Sequence, residues 1–198
     1  LIGPRLVLTA KHCVVPEGAV GPVSARSVTV GTGPSIGSLR AMARVAEIVT
    51  TPGPLSISVG PDPVSGATGT DVAFLVLSEE LPGITPVPVL RESPEGLVGT
   101  EVLAIGYGTQ RTSGAGVRMR VTATVTSFTP YLLEAVEVVC QGDSGGPLLR
   151  VLPDGTREVV GVTSFGVFSA ITPGGAPCPA LRDYWNRVDL HLDLLDEA

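Results

Sequence analysis

Positive charge is scarce in this chain. Its 198 residues include one lysine, Lys11, and 13 basic residues in all against 19 acidic ones, for a net charge of -6. A nucleic-acid surface needs clustered Lys and Arg, so that class of partner is excluded, and a modest acidic excess serves solubility. Runs of Lys, Glu or Gln that favour helices are also missing. No apolar run approaches the length of a membrane span, and the longest, such as Val72 to Leu77, suits a buried strand. The one asparagine, Asn186, precedes Arg187-Val188 and forms no glycosylation sequon. Cys and His do not occur at zinc-site spacing and there is no EF-hand pattern, so no metal is expected. Gly31 to Gly37 carries Pro34 and has no following helix, so it reads as a loop and not as a phosphate cradle. The chain opens at Leu1 with neither an initiator methionine nor the basic-then-apolar pattern of a signal peptide, and its three cysteines are an odd number.

What is abundant is turn chemistry and β-branching. With 25 Gly, 18 Pro and many Val and Thr, the sequence reads as short strands joined by turns, an all-β chain long enough for a sizeable core. Strands are expected at Leu6–Thr9, Val28–Val30, Val45–Val49, Val102–Tyr107, Val117–Ser127, Pro147–Val151 and Glu158–Ser164, with a hairpin turn at Pro153-Asp154-Gly155-Thr156. Thr51 to Thr70, rich in Pro, Gly and Ser, reads as an exposed loop, and the proline-rich stretch 78–98 reads as a connector between two units. Tyr184, Val188, Leu192 and Leu195 recur at helical spacing, which predicts a C-terminal helix; His191 falls within that Asp-rich tail.

The most informative stretch is Gly142-Asp143-Ser144-Gly145-Gly146-Pro147, a serine between glycines in a tight turn. Such a turn presents the hydroxyl and nearby backbone amides to one carbonyl. Upstream stand Leu8-Thr9-Ala10-Lys11-His12-Cys13 and Asp71-Val72-Ala73-Phe74-Leu75-Val76-Leu77. Read in order they supply His, Asp and Ser, the parts of a nucleophile activated by an oriented base. Gly106-Tyr107-Gly108 and Ser164-Phe165-Gly166 add two further matches. With these five motifs the chain resembles the trypsin-like (chymotrypsin-fold) serine endopeptidases, of a bacterial secreted type.

The resemblance implies two antiparallel six-stranded β-barrels with a short C-terminal helix, in one peptidase domain over 1–198. Residues 1–85 are then the N-terminal barrel and 99–198 the C-terminal barrel plus helix. Only eleven residues precede His12, so the N-terminal barrel is expected to be incomplete. His12 is the expected general base, Asp71 the acid that orients it, and Ser144 the nucleophile. Asp62, boxed between Pro61 and Pro63, is the competing carboxylate. The oxyanion hole is expected at the N–H groups of Gly142 and Ser144. In the family, the equivalent of Asp143 pairs with an ammonium freed by zymogen cleavage, and Ser164 matches the residue that hydrogen-bonds the buried carboxylate. The resemblance also pairs Cys140 with Cys178 and leaves Cys13 either to a cysteine outside this sequence or as a free thiol.

Specificity remains open at this point. Val138 stands where trypsin-like enzymes selective for basic residues carry an aspartate, which favours an apolar or small P1 side chain. Asp183, if it lies on the opposite pocket wall, attracts Arg or Lys instead. Ser164, Phe165 and Gly166 are expected to pair with the substrate backbone. No cofactor is implied. Polypeptide substrates and protein protease inhibitors are the expected partners, with no nucleic acid and no membrane, for a secreted or periplasmic monomer. The alternatives are a protease-like binding module without turnover and a hydrolase of esters or small amides.

Overall fold

The computed structural model describes residues 1–53, 56–57, 67–68, 70–110, 114–167, 178 and 180–197. Strands dominate it, in two curled antiparallel sheets. The first is built from β1 (Leu6–Thr9), β2 (Thr29–Thr32), β3 (Ala41–Thr50) and β6 (Ala73–Leu77), in the order β1-β6-β3-β2. Between β3 and β6, Ser56–Ile57 and Ala67–Thr68 form a small separate ladder, β4 with β5. The second sheet takes β7 (Glu101–Gly106), β8 (Met119–Thr124), β9 (Ser127–Phe128), β10 (Leu132–Ala135), β11 (Pro147–Val151), β12 (Arg157–Val167) and β13 (Arg182–Arg187). Its order is β8-β7-β11-β12-β13-β10-β9.

Patterning explains the placement. In β3 the inward Ala43 and Val45 alternate with the exposed Met42 and Arg44, the period of a strand with one wet face. The run Ala73 to Leu77 does not alternate because β6 lies between β1 and β3 with both faces covered, and four of its five residues are buried. Leu75, Leu77, Val45 and Val14 centre the first core; Leu133, Leu148, Val160 and Trp185 centre the second. A third cluster, with Ala10, Leu149, Val159, Val162 and Val188, joins residues flanking the His12 turn to the second sheet. The β11–β12 hairpin turns through Gly155 at φ 84°, while the Asp154 side chain accepts the Thr156 N–H at 2.9 Å.

Two expectations need correction, and one strand had none. The helical face proposed for Tyr184 to Leu195 begins too early: Tyr184 lies in β13, which pairs with β10 on one side and β12 on the other, and the helix α1 spans only Leu192–Glu197. Two flanking ladders outweigh a coincidental spacing of apolar residues. Sequence reading also left β10 unassigned. The stretch from Thr51 to Thr70 is not uniformly exposed, since Thr51 is 1% exposed. Asp62 lies outside the described residues.

Candidate active site

His12 follows β1 in a single 3-10 turn, Lys11–Cys13, closed by hydrogen bonds from Cys13 N–H to Ala10 and from Val14 N–H to Lys11. Ala10, fully buried, anchors that turn against the second sheet. Asp71 precedes β6 and is also fully buried. A buried carboxylate is costly unless its oxygens are satisfied, and here they are. Oδ1 accepts the His12 backbone N–H at 2.8 Å; Oδ2 accepts His12 Nδ1–H at 2.7 Å and the Ser164 hydroxyl at 2.6 Å. The N–H of Asp71 donates to Asn186 Oδ1 at 3.1 Å.

The position of Ser164 follows from a ladder irregularity. In the β12–β13 register Thr163 faces Trp185 and Phe165 faces Tyr184, so Ser164 is skipped. A bulge re-aims the side chain it carries, and here the hydroxyl reaches a carboxylate 93 residues away in sequence. Beyond the pairing of Pro147 with Val162, β12 keeps β13 on one side while β11 has ended. Phe165 and Gly166 therefore present one backbone edge without a strand partner among the described residues. Phe165 stacks on Tyr184 with ring centroids 4.8 Å apart.

Electrostatics couple the pair. The hydrogen bond that His12 donates to Asp71 pushes the imidazole above its ordinary range, with smaller help from Cys13 and opposition from burial. For Asp71, burial pushes upward, but the bonds from His12 and Ser164 outweigh it and hold the carboxyl below its usual value. Buried Asp71 thus stays ionised, and the third-exposed His12 ring leaves Nε2 toward the surface, 3.8 Å from Cys13 Sγ.

The Ser144 turn needs its glycines. Gly142 and Gly145 have φ of 91° and 78°, conformations that a side chain resists. A Cβ on Gly145 would collide with Thr9 Oγ1 and press Ala10 N, so a missing side chain lets the serine turn lie against the segment that carries His12. Gly145 N–H donates to Thr163 O at 2.9 Å and Thr163 N–H to Gly146 O at 2.8 Å, which ties the turn to β12. Ser144 is exposed, and no hydrogen bond joins its hydroxyl to His12 among the described residues. The N–H groups of Gly142 and Ser144 have no protein acceptor there either.

Asp143 turns inward. Its carboxylate accepts Gly108 N–H at 2.7 Å and Cys140 N–H at 2.9 Å. A Cβ on Gly106 or Gly108 would occupy the carboxylate's space, which is the physical reason for glycine on both sides of Tyr107. The Cys140–Cys178 disulfide is formed, and Cys13 is exposed with no disulfide partner among the described residues.

The two rival specificity residues meet. Val138 N–H donates to Asp183 Oδ2 at 2.7 Å and Val139 N–H to the same oxygen at 3.2 Å. Asp183 is fully buried, yet its Oδ1 has no partner among the described residues. Burial pushes its carboxyl up to about 6 against the pull of the two N–H groups, and the nearby Asp143 adds to the rise. His191 sits in the turn before α1. Sequence reasoning missed Asn186 and attached no role to Lys11; both act through contacts too distant in sequence to leave a local pattern.

Among the described residues, no three His, Cys, Asp or Glu side chains gather as a metal site, and no helix is long and apolar enough to cross a membrane.

Comparison with known proteins agrees with this geometry. A family model for trypsin matches residues 1–177. The chain is 29% identical to serine protease SP24D of Anopheles gambiae over 182 residues, which covers 83% of this chain and 60% of that protein. It is 53% identical to Lectizyme of Glossina austeni over 36 residues, 18% of this chain and 13% of that protein. A 30-residue stretch is 63% identical to phenoloxidase-activating enzyme 1 of Spodoptera litura, covering 15% of this chain and 8% of that enzyme. The chain therefore spans at most 60% of the length of these three relatives. In three dimensions it is similar to a mutant of human heparin binding protein (CAP37), with a TM-score of 0.66 and 25% identity over all of this chain and 83% of that one. The chain belongs to the trypsin family of chymotrypsin-fold serine proteases.

Proposed function

We propose that this chain is a serine endopeptidase that cleaves polypeptides through an acyl-enzyme on Ser144. The observation that carries the reading is the buried Asp71 carboxylate, bonded at once to His12 and Ser164, beside a glycine-braced serine turn packed on the His12 segment. Asp71 holds His12 with Nδ1 protonated, which leaves Nε2 as the base. Nε2 takes the Ser144 proton as Oγ attacks the peptide carbonyl, then passes it to the departing amine; water repeats the sequence to release the acyl group. The N–H groups of Gly142 and Ser144 receive the oxyanion, a contribution of about 3 kcal/mol per donor in this reaction class. The Ser144–His12 hydrogen bond used in the reaction forms as substrate binds, when catalytic contacts of this kind tighten.

The substrate strand pairs with the open edge at Ser164, Phe165 and Gly166. In this reading Asp183 underlies the P1 pocket: one of its oxygens is committed to the Val138 and Val139 N–H groups and the other is unsatisfied, so an Arg or Lys P1 side chain that reaches it is its best partner. The protein acts outside the cytoplasm, secreted or periplasmic, as a single trypsin-like domain over 1–198 with barrels at 1–85 and 99–198. It works as a monomer without a cofactor, and protein protease inhibitors are its second class of partner.

A second reading, a protease-like binding module, draws on the missing Ser144–His12 hydrogen bond and on a structural relative named for binding heparin. Fluorophosphonate labelling separates the two. The endopeptidase reading expects labelling of the wild type and none of Ser144→Ala, with faster turnover of an extended peptide bearing P1 Arg than of a simple ester. A wild type inert to the reagent and to both substrates would support the binding module.

A further inference from the structure

Lys11, the chain's one lysine, is buried, at 5% exposure. An ammonium out of water is costly unless its protons find acceptors. Lys11 forms no ion pair among the described residues; its Nζ donates to the backbone carbonyls of Thr51 and Gly53, each at 2.6 Å. Those carbonyls follow directly on β3, and Gly53 stands at φ 78°, a conformation open to glycine.

Thr51 is itself tied to the acid. Its N–H donates to Val72 O at 3.2 Å, and its hydroxyl donates to Thr70 O at 2.7 Å with Val72 O a further 3.2 Å contact. The carbonyls on either side of Asp71 are thus both held by one residue. The bonds close a circuit: Lys11 to Thr51, Thr51 to the peptides around Asp71, Asp71 to His12, and His12 to Lys11 through the chain. The Asp71 charge reaches Lys11, raising an ammonium that burial pulls down. Other groups facing the pair are Ser164 from β12, Asn186 from β13 and Cys13 from the same turn.

We propose that Lys11 is a positioning residue for the triad: its buried ammonium clamps the turn that carries His12 onto Thr51, which fixes the chain on both sides of Asp71. This rests on the roles given above to His12 and Asp71, but it is tested without turnover. The readout is the His12 Nδ1 proton in NMR spectra of the full chain. Only one other histidine is present, so His191→Gln assigns it.

In Lys11→Met, which keeps an apolar stem of similar size, the proton should exchange with solvent at least about tenfold faster and its resonance should move upfield as the His12–Asp71 bond loosens. Where peptidase activity is present, kcat should fall about 10- to 100-fold with KM held within about threefold, the mark of misplaced catalytic groups and not of lost binding. Thr51→Val, which removes the hydroxyl at nearly constant volume, should give the same signature, and the double variant should be little worse than either single one because the two act in series. A folded Lys11→Met with unchanged exchange and resonance overturns the proposal. If Lys11→Met does not fold, an unchanged signature in Thr51→Val overturns it instead. A wild type with the His12 signature but no reaction with fluorophosphonate defeats the peptidase reading and leaves the clamp to be judged by the same spectra.

Discussion

Replacing Asp183 with Asn isolates the energetic cost of a buried carboxylate. Its carboxyl is raised from 3.8 to about 6, chiefly by burial, with Asp143 contributing and the Val138 and Val139 N–H groups opposing. The folded protein therefore holds this proton more tightly than the unfolded chain does. The contribution is fully favourable below the unfolded value of 3.8 and is lost as pH rises through about 6. At 1.36 kcal/mol for each tenfold change in proton affinity, the loss amounts to about 3 kcal/mol at neutral pH. Asn has nearly the same shape, and its carbonyl oxygen still accepts both N–H groups, but it has no charge to desolvate. Urea unfolding from pH 4 to pH 8 provides the assay, followed by the fluorescence of Trp185, the chain's one tryptophan, which is fully buried in the same strand. The Asn variant should match the wild type near pH 4 and exceed it by about 2–3 kcal/mol above pH 7. Parallel stability profiles for the two proteins would refute the reasoning.

Three further outcomes follow from the site. Asp71→Asn should lower kcat by the roughly 10⁴-fold that loss of the orienting carboxylate costs triads of this kind, as measured on a peptide substrate. In the wild type, kcat/KM should rise with pH through a midpoint above the usual imidazole value of about 6.5, because the hydrogen bond donated to Asp71 favours protonated His12. A midpoint at or below that value would contradict the coupling. Gly108→Ala would place a Cβ within 2.5–2.6 Å of the Asp143 carboxylate atoms, and displacing that group should cost about 1–3 kcal/mol in thermal unfolding and slow labelling of Ser144.

What the sequence disclosed, and what it hid, divides by range. The serine turn announces itself because glycines at 142 and 145 meet local backbone demands, visible as φ of 91° and 78°. Asp71 stands out through the apolar run behind it, which becomes the doubly covered strand β6. By contrast, β13 carries Tyr184, Trp185 and Asn186 buried on both faces, so it shows no two-residue alternation, and Tyr184 fell by chance in helical register with Val188, Leu192 and Leu195. Strand β10 is four residues long and pairs along its whole length with a strand about fifty residues downstream. The same limit hid the meeting of Val138 with Asp183, which looked like competing specificity residues and are hydrogen-bonded to one another. Lys11 and Asn186 belong to this class too. Nothing near them in the chain marks the carbonyls or the amide that they bind.

The central claim is that Ser144 becomes acylated while His12, oriented by Asp71, takes its proton. Intact-mass analysis after mixing with a slowly hydrolysed acyl ester, followed by peptide mapping at low pH, reads that step directly. The account predicts one acyl group per molecule, located on Ser144 and absent from His12→Ala and Asp71→Ala under the same conditions. An acyl group found on another side chain, such as the exposed Cys13 thiol, with Ser144 unmodified, would contradict it.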